Sequence, residues 1–243
     1  LRQLRRLRAR FRQEGFAAVV HGNQGRTPRN RIDPALVERI VALAGSGGKY
    51  QDLNICHLRE MLEREEQIVI GRSTLDRLLK ARGVRQKSKR GRPIHRQRRP
   101  RRTAEGMLLQ IDGSPFAWLE ERGPKGVLMG AVDDATGKIV ALLFRPTEAQ
   151  SGYLLLLRTI AQRYGLPMSI YHDRHTILRS PKQPTVEEQL AGQAPMSQIQ
   201  RVMADLGIES IPAYSPHAKG RIERLWDSLQ ARLTKELRLA GIS

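Results

Sequence analysis

Asp112, Asp173 and Glu223 are the residues whose types and positions suit them to chemistry. Each aspartate ends a short apolar run, 107–112 (M-L-L-Q-I-D) and 168–173 (M-S-I-Y-H-D), and Glu223 lies about two turns into a long helical pattern starting near His217. Carboxylates are hard oxygen donors. Three of them can hold two divalent ions about 3.5 to 4 Å apart and leave positions open for water and phosphate, which is what phosphoryl transfer requires. One ion deprotonates the attacking water or 3′-hydroxyl, and the other stabilises the leaving oxygen. A lone strand-end aspartate more often caps a turn, so the reading depends on one fold placing all three.

Other reactive types fit this chemistry less directly. Lys219 precedes Glu223 by four residues and Arg224 follows it, so both belong near a scissile phosphate if Glu223 does. His172 and His175 flank Asp173, but they have no cysteine partners for a zinc site, and His175 is the better placed to meet DNA. Cys56, the one cysteine, excludes an internal disulfide and reads as a small buried hydrophobe. Trp118 and Trp226 read as packing residues. Asp133 and Asp134, in D-D-A-T-G, read as turn acids and are left out of the triad.

The elements that must position these residues follow from periodicity. Strands are predicted at 107–112, 127–132, 138–144, 168–172 and 208–211. Helices are predicted from Thr147 to Tyr164 with Thr147 as cap, at 197–206, and from about His217 to Leu239; residues 174–195 look irregular. The order β-β-β-α-β-α-β-α is that of a ribonuclease H-like mixed sheet, in which the first and fourth strands are adjacent and the last helix crosses beside their ends. That fold would gather Asp112, Asp173 and Glu223.

The N-terminal third is different in kind. Helices are expected at 1–14, 34–44 with Asp33 as N-cap and Pro34 at its first position, 53–62, and 73–81 with Ser73 as N-cap. The last two form a helix-turn-helix over 32–84, whose Arg72, Ser73, Thr74 and Arg77 would face base edges. A plain three-helix bundle is the competing reading. The net charge of +19 is concentrated: residues 1–31 hold nine Arg against Glu14, and 85–102 hold ten basic residues and no acid, whereas 103–243 hold sixteen against fifteen. Two basic segments beside a nearly neutral region point to a polyanionic partner. Segment 85–102 reads as a DNA-contacting arm, with Arg90 and Arg92 of R-G-R-P suited to a narrow minor groove, or else as a solvated linker. Residues 1–31 read as the tail of a helical unit truncated upstream, and 103–243 as the catalytic domain. No apolar run approaches the roughly 20 residues of a membrane span, so no membrane partner is expected.

Four stretches, L-L-Q-I-D-G-S-P-F-A-W-L, A-V-D-D-A-T-G-K-I-V-A-L, I-Y-H-D-R-H-T-I-L and Y-S-P-H-A-K-G-R-I-E-R, resemble the blocks of integrase-core DDE transposases, especially those of the ISNCY group of bacterial insertion sequences. The resemblance spans essentially the whole chain. It implies a DDE triad on Asp112, Asp173 and Glu223, two Mg²⁺ or Mn²⁺ ions as cofactor, and transposon-end and target DNA as substrates. It also implies a homo-oligomer on DNA in the prokaryotic cytoplasm, at the nucleoid. Glu223 lies 50 residues after Asp173, longer than the retroviral spacing, so 174–195 would be an insertion, with Glu187 or Glu188 as the alternative second ligand. Two rivals remain: a helix-turn-helix regulator with a non-catalytic scaffold, and a nuclease of the same fold that never joins strands.

Overall fold

The computed structural model describes residues 2–20, 23–25, 31–85, 100–190, 192, 195–213 and 219–243. Arg90, Arg92 and most of the arm 85–102 lie outside the described residues.

Helix α1 (Arg2–Glu14) is exposed throughout. Helix α2 (Pro34–Ala44) starts as its sequence demands, the Asp33 carboxylate accepting from Ala35 N at 3.0 Å with Pro34 in the first turn. Asn54 caps α3 (Ile55–Glu66), accepting from the Cys56 and His57 amides, and Gln67 ends it in the left-handed region at φ 57°. Helix α4 (Arg72–Ala81) begins one residue earlier than predicted. Gly71 takes the cap position, which leaves Ser73 inside the first turn rather than capping it. Ile40, Tyr50, Leu58, Leu62, Leu75 and Leu79 bury one core among these helices. Cys56 corrects the sequence reading: it is exposed, because it lies off the stripe of Ile55, Leu58, Met61 and Leu62 that α3 buries.

The rest of the chain builds a five-stranded sheet in the order β3-β2-β1-β4-β5. Strands β1 (Leu109–Phe116), β2 (Gly126–Asp133) and β3 (Ile139–Arg145) form an antiparallel meander; β4 (Ser169–His172) and β5 (Glu209–Pro212) run parallel to β1. Helix α5 (Gln150–Tyr164) follows β3, with Ala149 rather than Thr147 at its cap, and α7 (Gln198–Asp205) opens on a Ser197–Gln200 capping box. A short helix, α6 (Val186–Leu190), interrupts the stretch read as irregular. Helix α8 (Gly220–Leu239) closes the chain and starts later than expected, so Glu223 lies in its first turn rather than two turns in. This is the ribonuclease H-like mixed sheet that the element order predicts, with one extra short helix.

The period-two alternation of strands decides which helix each side chain meets. Leu109 and Ile111 of β1 join Met129 and Ala131 of β2 in the core beneath α5 and α7, with Tyr153, Leu156, Ile160, Ile199 and Met203. On the opposite face, Leu128 and Val132 pack with Trp118, Ile222 and Trp226 under α8. The C-terminal part of α8 reaches the helical region: Leu239 packs against its core, and the Arg238 guanidinium donates to the Gln51 carbonyl at 3.0 Å.

Candidate active site

Strand β1 does not stop at Asp112, as the sequence suggested, but pairs with β2 from Leu109↔Asp133 through Phe116↔Gly126. Cross-strand pairing outweighs the weak strand preferences of Asp112, Gly113 and Pro115. Beyond Gln110, however, β1 has no parallel neighbour, because its pairs with β4 are Leu109↔Ile170 and Gln110↔Tyr171. Pro115 is thus tolerated, its missing N–H facing the unpaired side. Asp112 and Asp173 each lie two residues past that last pair, Asp112 within β1 and Asp173 just after the end of β4.

Gln110, Asp112 and Ser114, alternate residues of β1, face α8, and all three make polar contacts with it. Gln110 Oε1 accepts from Ile222 N at 3.4 Å, and Ser114 Oγ accepts from Gln230 Nε2 at 3.0 Å. Between them, Asp112 accepts from Lys219 Nζ at Oδ1 (2.7 Å) and from Trp226 Nε1 at Oδ2 (3.2 Å). The same ammonium lies 3.8 Å from Asp173 Oδ2, whose other oxygen accepts from His175 N at 3.0 Å. Lys219 is only 6% exposed. Two carboxylates, one on β1 and one just after the neighbouring β4, therefore converge on one buried cation.

Glu223 is half-buried on α8, four residues after Lys219 and three before Trp226. Both of those touch Asp112, so helical spacing turns Glu223 toward the same side of α8. It does not close with the aspartates into a ready-made cluster: no three His, Cys, Asp or Glu side chains among the described residues converge enough to hold a metal. The donor set nonetheless fits a hard divalent cation. Asp112 and Asp173 already direct oxygens at one positive charge, and carboxylate oxygens are what Mg²⁺ and Mn²⁺ prefer. Glu187, the alternative ligand, is exposed on α6.

Several participants were not singled out from sequence. Glu148, just before α5, has its carboxylate where a Cβ on Gly113 would be, 2.8 Å from Cδ, so the glycine beside Asp112 makes room for a further acid. The buried Tyr153 hydroxyl donates to Glu148 Oε1 at 2.5 Å. Burial, then the charges of Glu148, Asp112 and Asp173, push the Tyr153 pKa far above the tyrosine range. Asp133 does form the expected turn, accepting from the Thr136 amide and hydroxyl, with Gly137 at φ 76°. Asp134 does not. It turns inward, fully buried, and accepts from Gln110 Nε2 (2.9 Å), Arg221 Nη1 (2.6 Å) and Arg102 N (2.9 Å), tying β1, the start of α8 and the end of the basic segment together. The alternation of Gln110, Asp112 and Ser114 along an apolar strand was the available signal for a polar face. Trp118 and Trp226 pack as expected, and Trp226 also holds Asp112.

His172 is buried, its Nε2 2.8 Å from Ser210 Oγ, and burial lowers its pKa. Arg224 is exposed beside Glu223. In α4, Arg72, Ser73 and Arg77 are exposed and Thr74 is half-buried, while Leu75 and Leu79 anchor the opposite side.

Among known proteins, the chain is 36% identical over 241 residues to y4bF of Sinorhizobium fredii, a protein named as a transposase, covering 99% of this chain and 51% of that protein. It is 29% identical over 270 residues to the transposase for insertion sequence IS1202 of Streptococcus pneumoniae, covering 97% of this chain and 56% of that one. The chain is thus similar along nearly all of its own length to two proteins named as transposases, one of them for an insertion sequence, and it spans about half the length of these relatives. No protein-family model matches it. Among solved structures, a chain of the simian T-cell lymphotropic virus intasome in complex with PP2A regulatory subunit B56 gamma aligns over 70% of this chain and 54% of its own, at 19% identity and a TM-score of 0.45. The HTLV-2 integrase catalytic core domain in complex with magnesium aligns over 54% and 72%, at 16% identity and a TM-score of 0.37. The fold assignment rests on strand order and pairing.

Proposed function

We propose that this chain carries the end-binding and catalytic parts of a DNA transposase that nicks DNA at transposon ends and joins the freed 3′ end to a target. The observation that carries the reading is the convergence of Asp112 and Asp173 on one cationic centre beside the Glu223 face of α8, in a chain homologous to transposases. Asp112, Asp173 and Glu223 would hold Mg²⁺ or Mn²⁺, two ions in the full site. Bound there, the ions would activate the oxygen nucleophile and stabilise the leaving oxygen. Trp226 holds the Asp112 carboxylate in place, and Lys219 and Arg224 offer positive charge to the scissile phosphodiester. In the first step water oxygen bonds to phosphorus and the 3′ oxygen leaves as a hydroxyl. In the second, that hydroxyl attacks a target phosphodiester and expels the target's own 3′ oxygen.

DNA anchoring is assigned to other segments. Residues 32–84 act as a helix-turn-helix presenting Arg72, Ser73, Thr74 and Arg77 of α4, and 85–102 acts as the arm that brings Arg90 and Arg92 to the duplex. With 1–31 they carry nearly all the excess charge, leaving 103–243 for catalysis. Copies assemble on paired ends as a homo-oligomer, in the bacterial cytoplasm at the nucleoid. No helix among the described residues is long and apolar enough to cross a membrane.

The test uses end-labelled duplexes from the termini of the element that encodes the chain, with Mg²⁺ or Mn²⁺ and a target plasmid. Nicked and joined products are expected, and Asp112→Asn, Asp173→Asn and Glu223→Gln should abolish both while a mobility shift persists. Cleavage without joining would favour the nuclease reading. A specific shift without cleavage in either metal would favour the regulator.

A further inference from the structure

Both oxygens of Asp112 are engaged, Oδ1 by Lys219 and Oδ2 by Trp226. The two donors are not equally free to leave. Trp226 is wedged in the core under α8, 6% exposed, against Gly130, Leu142 and Ile222. Lys219 stands at the N-terminal cap of α8 on a flexible four-carbon stem, and its compact charge can follow whichever anion is nearest. It also lies between the two aspartates, so a divalent cation bound by both must displace the ammonium. A displaced ammonium in this largely buried position needs a new anion, since an unpaired buried charge is strongly unfavourable. A DNA phosphate at the same site supplies one.

We propose that Lys219 is an exchangeable internal cation: it neutralises Asp112 and Asp173 before metal binds and moves to a DNA phosphate when metal displaces it, so that metal and DNA bind cooperatively. This rests on the ligand assignment made above. Because coupling is reciprocal, metal must tighten DNA binding by the same factor by which DNA tightens metal binding.

The experiment measures Mn²⁺ affinity of the DNA-free chain by calorimetry, and DNA affinity with and without Mn²⁺ by fluorescence anisotropy on a short labelled duplex. Lys219→Met should bind Mn²⁺ about tenfold more tightly than the wild type, within the range usual for coupled sites. Lys219→Gln, which keeps a polar tip for Asp112, should also bind more tightly, whereas Lys219→Arg should not. The strengthening of DNA binding by Mn²⁺ should be present in the wild type and largely lost in Lys219→Met and Lys219→Gln. If both neutral variants bind Mn²⁺ no more tightly than the wild type while Asp112→Asn loses it, the exchange is wrong and the ligand assignment stands. If Asp112→Asn and Asp173→Asn bind Mn²⁺ like the wild type, the ligand assignment fails and takes the exchange with it.

Discussion

Asp112 and Gly130 lie directly opposite each other in the β1–β2 register, and the missing side chain of Gly130 is what lets Trp226 reach Asp112. A Cβ at position 130 would stand 2.7 Å from Trp226 Cη2 and 2.9 Å from Leu142 Cδ2. Gly130→Ala should therefore overpack the face under α8, costing about 1 to 3 kcal/mol, and should displace the indole from Asp112. Trp226→Phe keeps most of the volume but removes the donor, a charge-assisted bond worth about 1.5 to 3 kcal/mol. Both variants should melt several degrees lower and nick DNA more slowly. Unchanged nicking in Trp226→Phe would show that the indole only fills space.

The Asp134 network should matter more for stability. Asp134 is fully buried and its guanidinium partner, Arg221, is only 14% exposed; removing the acid breaks this ion pair. Breaking such a pair costs about 3 to 5 kcal/mol. Asp134→Ala should thus cost about 3 kcal/mol or more by urea denaturation. Gln110→Leu should cost less, since Arg221 keeps its carboxylate. Equal losses would mean that Gln110, not the ion pair, holds the start of α8.

Much of this organisation was legible in sequence, for reasons that differ by residue. Asp33-Pro34 fixed the start of α2 because capping is local. The strand order was readable because each apolar run is short and bounded by turn residues. The extension of β1 through Asp112-Gly113-Ser114-Pro115 was not, since only pairing with β2 makes a strand of residues that disfavour one. Glu148 lies 36 positions from Asp112, and nothing local announces that Gly113 leaves space for it. Asp133 and Asp134 both read as turn acids, but that the Asp134 side chain reaches Gln110 and Arg221, 24 and 87 residues away, is not visible in the local D-D-A-T-G sequence.

Acid should loosen the contact between α3 and α8. His57 is fully buried, 2.9 Å from Glu236, with Arg232, Glu60 and Arg64 around the pair. Burial lowers the His57 pKa even though Glu236 pulls it upward. The folded chain thus takes up this proton less readily than the unfolded one, so stability is complete above the ordinary histidine value of about 6.5 and is lost as pH falls below it. Burial alone would raise Glu236, but His57, Arg64 and Arg232 outweigh it and hold it below the usual carboxylate range, which adds a second loss at lower pH. Thermal melting between pH 7.5 and 5 should show a falling Tm in the wild type and a shallower fall in His57→Gln. An identical slope in that variant would remove His57 from the acid response.

The DNA-binding assignment makes separable demands on α4 and the arm. Arg77 is exposed on the side of α4 opposite Leu75 and Leu79, where a recognition helix would meet base edges. Arg77→Ala should cost about 1 to 3 kcal/mol on the terminal sequence and relax preference at one base position, while changing nonspecific binding little. Arg90→Ala with Arg92→Ala should act differently. If the arm follows the backbone in a narrow minor groove, the slope of log K against log salt should flatten by about 0.9 per lost phosphate contact, with a greater loss on A·T-rich than on G·C-rich flanks. Because residues 1–102 hold eighteen of the nineteen net charges, that fragment should keep most of the salt dependence. Footprinting and salt titration on the same duplexes measure both effects. Should Arg77→Ala weaken terminal and unrelated DNA alike, α4 would be a phosphate contact and the helices around it a scaffold, leaving sequence recognition to another part of the protein.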